Sequence, residues 1–376
     1  MCCEFMNEPL QQLIETERAM NANFVAKQQE IHFIFIALLA KRNVLLIGPP
    51  GVAKSSVIQQ FIDHFVDITS FTRLISPTTQ PDELFGSAKF DRLREGVIER
   101  QIDGQLPTAH FAFLDELFKS TSDLLNGLLK IMNEHQFENG THIVQSPLFT
   151  LVGASNEFPD SDELSALYDR FLIRLEVESL KTPTDVLRML QCTEQVDVPP
   201  ITYTQLCTLQ QQVANMPIPQ AMYELLVTIH FRLKEAGIVV SDRRTKQCLD
   251  VLRAEALLQQ HAAVGPLHFH ALKHCLWTDI EERETVEQII NEYVLTARDL
   301  AFEKGEAMLR EMSAQVDAFG EEDVDVVAYT DYAVDAYAKW QVLVAEIKQV
   351  CDDDEARTRF DTMQRHVEQL LTKVLI

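Results

Sequence analysis

Basic side chains are scarce in this chain of 376 residues: Lys and Arg number 33 against 57 Asp and Glu, a formal net charge of −24. A molecule so charged repels phosphate backbones and anionic lipid heads, which disfavours duplex DNA as a bulk ligand. Long apolar runs are missing as well. The longest near the amino terminus, residues 31–40, is about half of the roughly 20 residues needed to cross a bilayer and carries His32, so no transmembrane helix is expected. Glu4 and Glu8 stand where a signal peptide would have Lys or Arg, which argues against secretion. The seven cysteines (Cys2, Cys3, Cys192, Cys207, Cys248, Cys275 and Cys351) include no C-x-x-C pair, and their odd number and wide scatter fit reduced thiols in a cytoplasm. Repeats and low-complexity tracts are lacking too. Apolar residues are plentiful at 46%, enough for two or three domains with buried cores.

Residues 10–40 read as helix, because apolar positions recur at steps of three and four through Phe24, Val25, Ile31, Ile34, Phe35, Leu38 and Leu39. The period then changes. Short continuous apolar runs at 44–47 and 111–114, and a third at 149–152 broken only by Thr150, have the character of buried parallel strands, and helical stretches at 55–65 and 124–135 lie between them. This order gives an α/β domain with a parallel sheet and crossover helices up to about residue 180. Residues 181–200, with Pro183, Pro199 and Pro200, read as a linker; helical stripes at 222–236, 245–260 and 266–277 then define an all-α domain. Residues 276–376 hold 24 acidic and 10 basic side chains, a distinct acidic unit. It reads as a helix over 281–317, a strand-like piece at 324–329, and helices over 332–350 and 355–375, with Asp352-Asp353-Asp354-Glu355 as a solvated turn.

The chemistry concentrates at four places. Gly48-Pro49-Pro50-Gly51-Val52-Ala53-Lys54-Ser55, followed by Ser56, links a buried strand to a helix, where backbone N–H groups and the helix N-terminus cradle phosphates. Lys54 supplies a positive charge to the β and γ phosphates and Ser55 a hydroxyl ligand to Mg²⁺. The strict motif has Gly where this chain has Ala53, so the loop there must accommodate a Cβ. Residues 111–116 form an apolar strand ending in Asp115 and Glu116, suited to hold Mg²⁺ and to polarise an attacking water. As a pair with a phosphate loop some 60 residues upstream, they point to nucleotide hydrolysis. Asn156 ends the third apolar run, where an amide can orient the same water; a plain turn asparagine is the alternative. Arg170 ends a helix before the strand-like 173–177, as either a solvated surface arginine or a finger reaching a neighbouring subunit's γ-phosphate. Ser241-Asp242-Arg243-Arg244 opens a helix, with capping by Ser241 or Asp242 as the simpler reading.

These pieces, in this order and spacing, resemble an AAA+ ATPase of the MoxR family, and in particular its RavA-like subgroup. The resemblance covers residues ~20–277 and rests on GPPGVAKS, HFAFLDE, LLNGLLKIMNEHQFENG, LVGASNE, ALYDRFLIRL and VVSDRRTK. It implies an AAA+ α/β core (21–180) after an N-terminal segment (1–20), an all-α lid (181–277) and a mainly helical C-terminal extension (278–376). It also implies ATP or ADP on residues 48–56, Mg²⁺ at Ser55 and Asp115, Glu116 as catalytic carboxylate, Asn156 as sensor 1, Arg170 as a finger acting in trans, and Arg243, or Arg244 beside it, as sensor 2. Ala53 is a trait of the family. So are a helix-2 insert within 83–107 and a hairpin around 136–143. Relatives often show V-G-Q where this chain has Val25-Ala26-Lys27. The β-rich docking module of the RavA subgroup has no room between Asp317 and Tyr332.

The expected function is Mg²⁺-dependent ATP hydrolysis by a cytoplasmic homo-oligomeric, hexameric ring. It would act as a chaperone-like remodeller of a protein or metal-cofactor client, beside a protein with a von Willebrand factor A domain. The alternative is a nucleotide-gated assembly module with little turnover. A DNA motor ranks third, because Lys89, Arg92, Arg94 and Arg100 of the insert are matched by Asp91, Glu95, Glu99 and Asp103, leaving no basic stripe. A metal enzyme has least support: His261, His268, His270 and His274 read as a mixture of core and surface residues.

Overall fold

The computed structural model describes residues 8–94, 96–159, 161–191, 198–319, 326–351 and 354–372. Cys2, Cys3, Cys192, Asp352 and Asp353 lie outside them. In chain order the elements are α1 (Glu8–Asn23), α2 (Gln28–Ala40), β1 (Val44–Ile47), α3 (Lys54–Asp63), β2 (Phe65–Val66), β3 (Ser70–Leu74), α4 (Pro81–Phe85), α5 (Phe90–Arg94), β4 (Phe111–Asp115), α6 (Ser122–Glu134), β5 (Gln136–Asn139), β6 (His142–Gln145), β7 (Thr150–Ser155), α7 (Asp162–Tyr168), β8 (Ile173–Glu176), α8 (Pro183–Gln191), β9 (Ile201–Thr202), α9 (Tyr203–Asn215), α10 (Gln220–Glu235), α11 (Asp242–Leu258), α12 (Arg283–Phe319), α13 (Val326–Lys348) and α14 (Asp354–Thr372). They divide into two compact units: residues 1–216 with 246–259, and residues 217–245 with 260–376.

The first unit is built on a five-stranded parallel sheet in the order β3-β4-β7-β1-β8. β1 is buried at all four residues, as a central strand covered on both faces must be. It lies between β7, with Val44 opposite Val152, and β8, with Val44 opposite Ile173. Phe35 of α2, Phe61 of α3 and Phe111 of β4 stack edge-on and tilted beneath the sheet, with centroids 5.1 and 5.4 Å apart. This burial of aromatic surface helps to anchor that layer.

Sequence and structure differ at five places. The helix expected over 10–40 breaks between α1 and α2, where Ala26 turns to φ 55°. The edge strand β3 has no continuous apolar run, since only Phe71 of its five residues is buried. The expected linker 181–200 contains α8, where Val186, Leu187, Met189 and Leu190 form a helical apolar stripe that the prolines at 183, 199 and 200 outweighed in the sequence reading. Residues 266–274 form 3-10 turns where a regular helical stripe was expected, because Pro266 opens the segment and the tight i→i+3 pattern continues from it. Residues 326–329, read as strand-like from their valines, belong to α13, since tertiary packing overrides β-branched propensity: Tyr329 is buried and its hydroxyl donates to Leu370 O at 3.2 Å. Residues 320–325 are outside the described set.

In the second unit α12, α13 and α14 pack on one another, and α10 packs on α12. Gly305 permits a close approach: a Cβ there would meet Met363 Cε at 2.3 Å. Trp340, fully buried, donates through Nε1 to Gln364 Oε1 at 2.9 Å. His268 is a core residue held by the Gly265 amide at 2.8 Å, with His261 Nδ1 2.8 Å from its Nε2. No described helix is long and apolar enough to cross a membrane.

Candidate functional site

The carboxyl edge of the sheet, beside the strand where the order turns from β7 to β8, gathers the polar residues. Open parallel sheets place their ligand crevice at such a point. The 48–53 loop leaves β1 in intimate contact with its neighbours: Gly48 N donates to Ser155 O at 3.0 Å, and a Cβ on Gly48 would lie 2.1 Å from Val177 O. Only glycine fits there. Gly51 takes φ 81° and Ala53 φ 66°, both left-handed, so that the chain turns directly into α3. Ala53 thus adopts the conformation that the strict motif reserves for glycine, with its methyl group tolerated at a cost of roughly 1 kcal/mol. Ala26 does the same before α2.

Lys54 opens α3 and is buried. Its Nζ donates to Gly48 O at 2.5 Å and Pro49 O at 3.1 Å, so the side chain folds over the loop. Burial pushes its pKa below the ordinary lysine value, against the pull of Asp115 and Glu116, and nearby Lys27 adds to the lowering. Lys27 is itself buried, donating to Glu178 O at 2.7 Å and pairing with Glu30 at 3.3 Å. In the V-G-Q register this lysine is therefore a strut between α2 and the segment following β8.

Ser55 Oγ donates to Asp115 Oδ2 at 2.8 Å, joining the first turn of α3 to the end of β4. Asp115 Oδ1 accepts from the Glu116 amide at 3.0 Å. Glu116 is left-handed at φ 55°, an unusual conformation for a non-glycine residue and typical of strained functional positions. Its Oε2 lies 3.3 Å from Lys119 Nζ. Hydroxyl, carboxylate and ammonium thus occupy one electrostatic neighbourhood, a donor set that fits a magnesium nucleotide: oxygen ligands for a hard cation and amide and ammonium donors for phosphate.

The remaining expected residues divide between this edge and other places. Pro49, Pro50 and Ser56 are exposed, and Val52 is buried under the loop. Asn156 is exposed immediately after β7, on the same edge as Gly48. Arg170 precedes β8, and because β8 is parallel to β1 with Ile173 opposite Val44, it sits at the opposite, amino edge. Asn43 Nδ2 donates to its carbonyl at 3.3 Å there. Arg243 belongs to the second unit, at the start of α11; the adjacent Arg244 is buried and donates to Thr278 Oγ1 at 3.0 Å. In the insert, Lys89 and Arg92 both pair with Glu99, at 2.5 and 3.2 Å, and Arg100 pairs with Asp82. Asn139 of the β5–β6 hairpin exchanges hydrogen bonds with the Arg100 backbone at 2.6 and 3.1 Å, tying hairpin to insert. Sequence reasoning named Lys27 only as a departure from V-G-Q, without its strut role, and missed Lys119; an acidic partner at the i+3 or i−3 position was the available signal.

A buried parallel strand feeding a phosphate loop and helix, with a carboxylate pair closing a neighbouring strand, defines a P-loop ATPase core of the AAA+ class. The model of the MoxR domain in the MoxR-vWA-beta-propeller ternary systems matches residues 11–215, and that of the AAA lid domain matches residues 221–290. The chain belongs to this MoxR family. An uncharacterized protein of Methanocaldococcus jannaschii is 33% identical over 286 residues, 76% of this chain and 75% of its own. A second from the same organism is 33% identical over 70% of each chain. Chaperone MoxR1 of Mycobacterium tuberculosis is 24% identical over 56% of each. The crystal structure of a candidate ATPase from Cytophaga hutchinsonii superposes with a TM-score of 0.61 at 18% identity, covering 78% of this chain and 96% of that one, a likeness of fold.

Proposed function

We propose that this chain hydrolyses ATP in a homo-oligomeric ring, hexameric as in other AAA+ motors, and uses the turnover to remodel a protein or metal-cofactor client in the cytoplasm. The observation that carries the reading is the Ser55–Asp115 hydrogen bond at 2.8 Å beside buried Lys54 and left-handed Glu116. Residues 48–56 hold the phosphates, the loop amides and the α3 N-terminus supplying donors and Lys54 a charge aimed at the β and γ oxygens. Ser55 and Asp115 are the residues that would hold Mg²⁺, which when bound neutralises charge on those oxygens. Glu116 takes a proton from water that Asn156 orients. Arg170, at the far edge of its own sheet, serves a neighbour's site, where a desolvated guanidinium stabilises charge developing on the γ-phosphate. Arg243 keeps the sensor-2 role that the family resemblance implies, in a lid for which 181–277 are the bounds we adopt, with 278–376 as the acidic helical extension.

The motor motifs are RavA-like in wording. The partners follow from the matched family's description: a protein with a von Willebrand factor A domain, with a β-propeller as third member. The paired cations of the insert support a polypeptide over nucleic acid as the polymer handled. Mg²⁺-dependent ATP turnover per subunit, measured against protein concentration, tests the reading. A rise to a plateau is expected from a finger supplied in trans; absence of turnover at every concentration and with the von Willebrand partner present would leave a nucleotide-gated assembly module instead.

A further inference from the structure

At the amino edge of the sheet, away from the phosphate loop, the first unit holds a cleft of about 550 Å³, within the size range of small-molecule sites. Its floor is the end of α2 and the approach to β7, with Leu39, Leu148 and Phe149 as apolar surface; Tyr203 and Cys207 of α9 form a wall. Lys41 and Arg42 stand on one side, and His135 and Ser146, which close the root of the β5–β6 hairpin through a 2.7 Å Ser146 N to His135 O bond, on the other.

Three features give this cleft a chemical preference. The lining carboxylate, Asp250, pairs with Arg42 at 2.5 Å and is drawn off further by Arg253, outside the lining, at 3.5 Å, while Lys41 adds a second cation to the lining. Cations therefore exceed anions here, in a chain whose net charge is −24. Second, the buried Nε donor of Arg42 has no hydrogen-bond partner among the described residues. Third, Ser146 is 7% exposed, yet its hydroxyl is also without a partner among the described residues. Buried polar atoms left this way cost free energy unless a ligand or water meets them.

We propose that the cleft is a second ligand site, which takes a small phosphate monoester: the oxyanion on Lys41, Arg42 and the Ser146 hydroxyl, the organic body against Phe149, Leu148 and Tyr203. Arginine and hydroxyl donors recognise a tetrahedral oxyanion by charge-assisted hydrogen bonds. Because His135 and Ser146 flank the hairpin, an occupant braces the root of the element that is tied to the insert.

Cys207 provides the readout. In the full chain carrying Lys54→Ala, which disables the phosphate loop, iodoacetamide labelling of Cys207 is followed by peptide mass spectrometry with ribose 5-phosphate, inorganic phosphate or citrate. Ribose 5-phosphate should slow labelling saturably, about tenfold at a tenfold excess over its dissociation constant. Lys41→Glu, at an exposed position that leaves folding intact by circular dichroism, should abolish the protection, and Ser146→Ala should weaken it. Protection unchanged in Lys41→Glu, protection by citrate alone, or none by ribose 5-phosphate at millimolar concentration would each overturn the proposal.

Discussion

Ser55 Oγ and Asp115 Oδ2 stand 2.8 Å apart although 60 residues separate them in sequence, so one hydrogen bond joins the phosphate loop's helix to the neighbouring strand. The bond presents a hydroxyl and a carboxylate to one point. Asp115→Asn keeps the shape and removes the charge. Turnover should fall at least roughly tenfold and its midpoint in Mg²⁺ titration should rise, because a hard cation loses its anionic partner.

Glu116→Gln should leave ATP binding intact and lower turnover by about 10²–10⁴-fold, the range for removal of a general base. Fluorescent-nucleotide titration and a phosphate-release assay on one preparation separate the two effects. Turnover within a few-fold of the parent would remove Glu116 from the role.

Ala53→Gly should stabilise the chain by about 0.5–1 kcal/mol, since relief of a left-handed alanine exceeds the added freedom of the unfolded chain. Ala53→Val should destabilise it, because a β-branched residue is strained at φ 66°. Thermal melting of the three proteins gives the order Gly above Ala above Val.

Arg170 lies at the edge of the sheet opposite Gly48, which makes a mixing experiment informative. Lys54→Ala and Arg170→Ala should each be inactive alone. Mixed in equal amounts and allowed to exchange subunits, they should recover roughly a quarter of the parent's turnover, because that fraction of sites pairs an intact loop with an intact finger. No recovery would place the arginine's action within its own subunit.

His32 of α2 sits between Glu17 of α1, 2.7 Å from Nδ1, and Glu255 of α11, 2.8 Å from Nε2. Burial alone would lower its pKa; the two carboxylate hydrogen bonds overcome that and raise it from 6.5 to about 10. A raised pKa means that the folded chain holds the proton more tightly than the unfolded chain. The clamp's stabilisation is therefore complete below about pH 6.5 and is lost as pH rises through about 10. Urea midpoints measured across that window should fall in the parent and show a shallower slope in His32→Gln.

The sequence made the centre of the sheet legible and its edges obscure. β1 and β4 are continuous apolar runs because both faces are covered, and residue pattern alone locates them. β3 is an edge strand with Ser70, Thr72 and Arg73 among its five residues, so its pairing with β4 has no local signature. The phosphate loop and the Asp115–Glu116 pair were readable because their chemistry requires fixed residue types at fixed spacing. The break at Ala26 was not, since alanine looks helical and only the surrounding packing holds it at φ 55°. Lys27 and Lys119 act through acidic residues and carbonyls that the fold brings to them, which spacing alone underdetermines.

The first unit is discontinuous: residues 246–259 complete it after an excursion of about 30 residues, and they bring Asp250 to Arg42 and Glu255 to His32. For a chain emerging from the ribosome at roughly 5–20 residues per second, residue 216 appears about 2–9 s before residue 259. During that interval the connection from α2 to β1 carries an unanswered arginine, and α2 an imidazole with one of its two carboxylates. Vectorial synthesis thus leaves the nucleotide core waiting for its last helix, a window in which a nascent-chain chaperone or an early ligand has the most to gain by holding it.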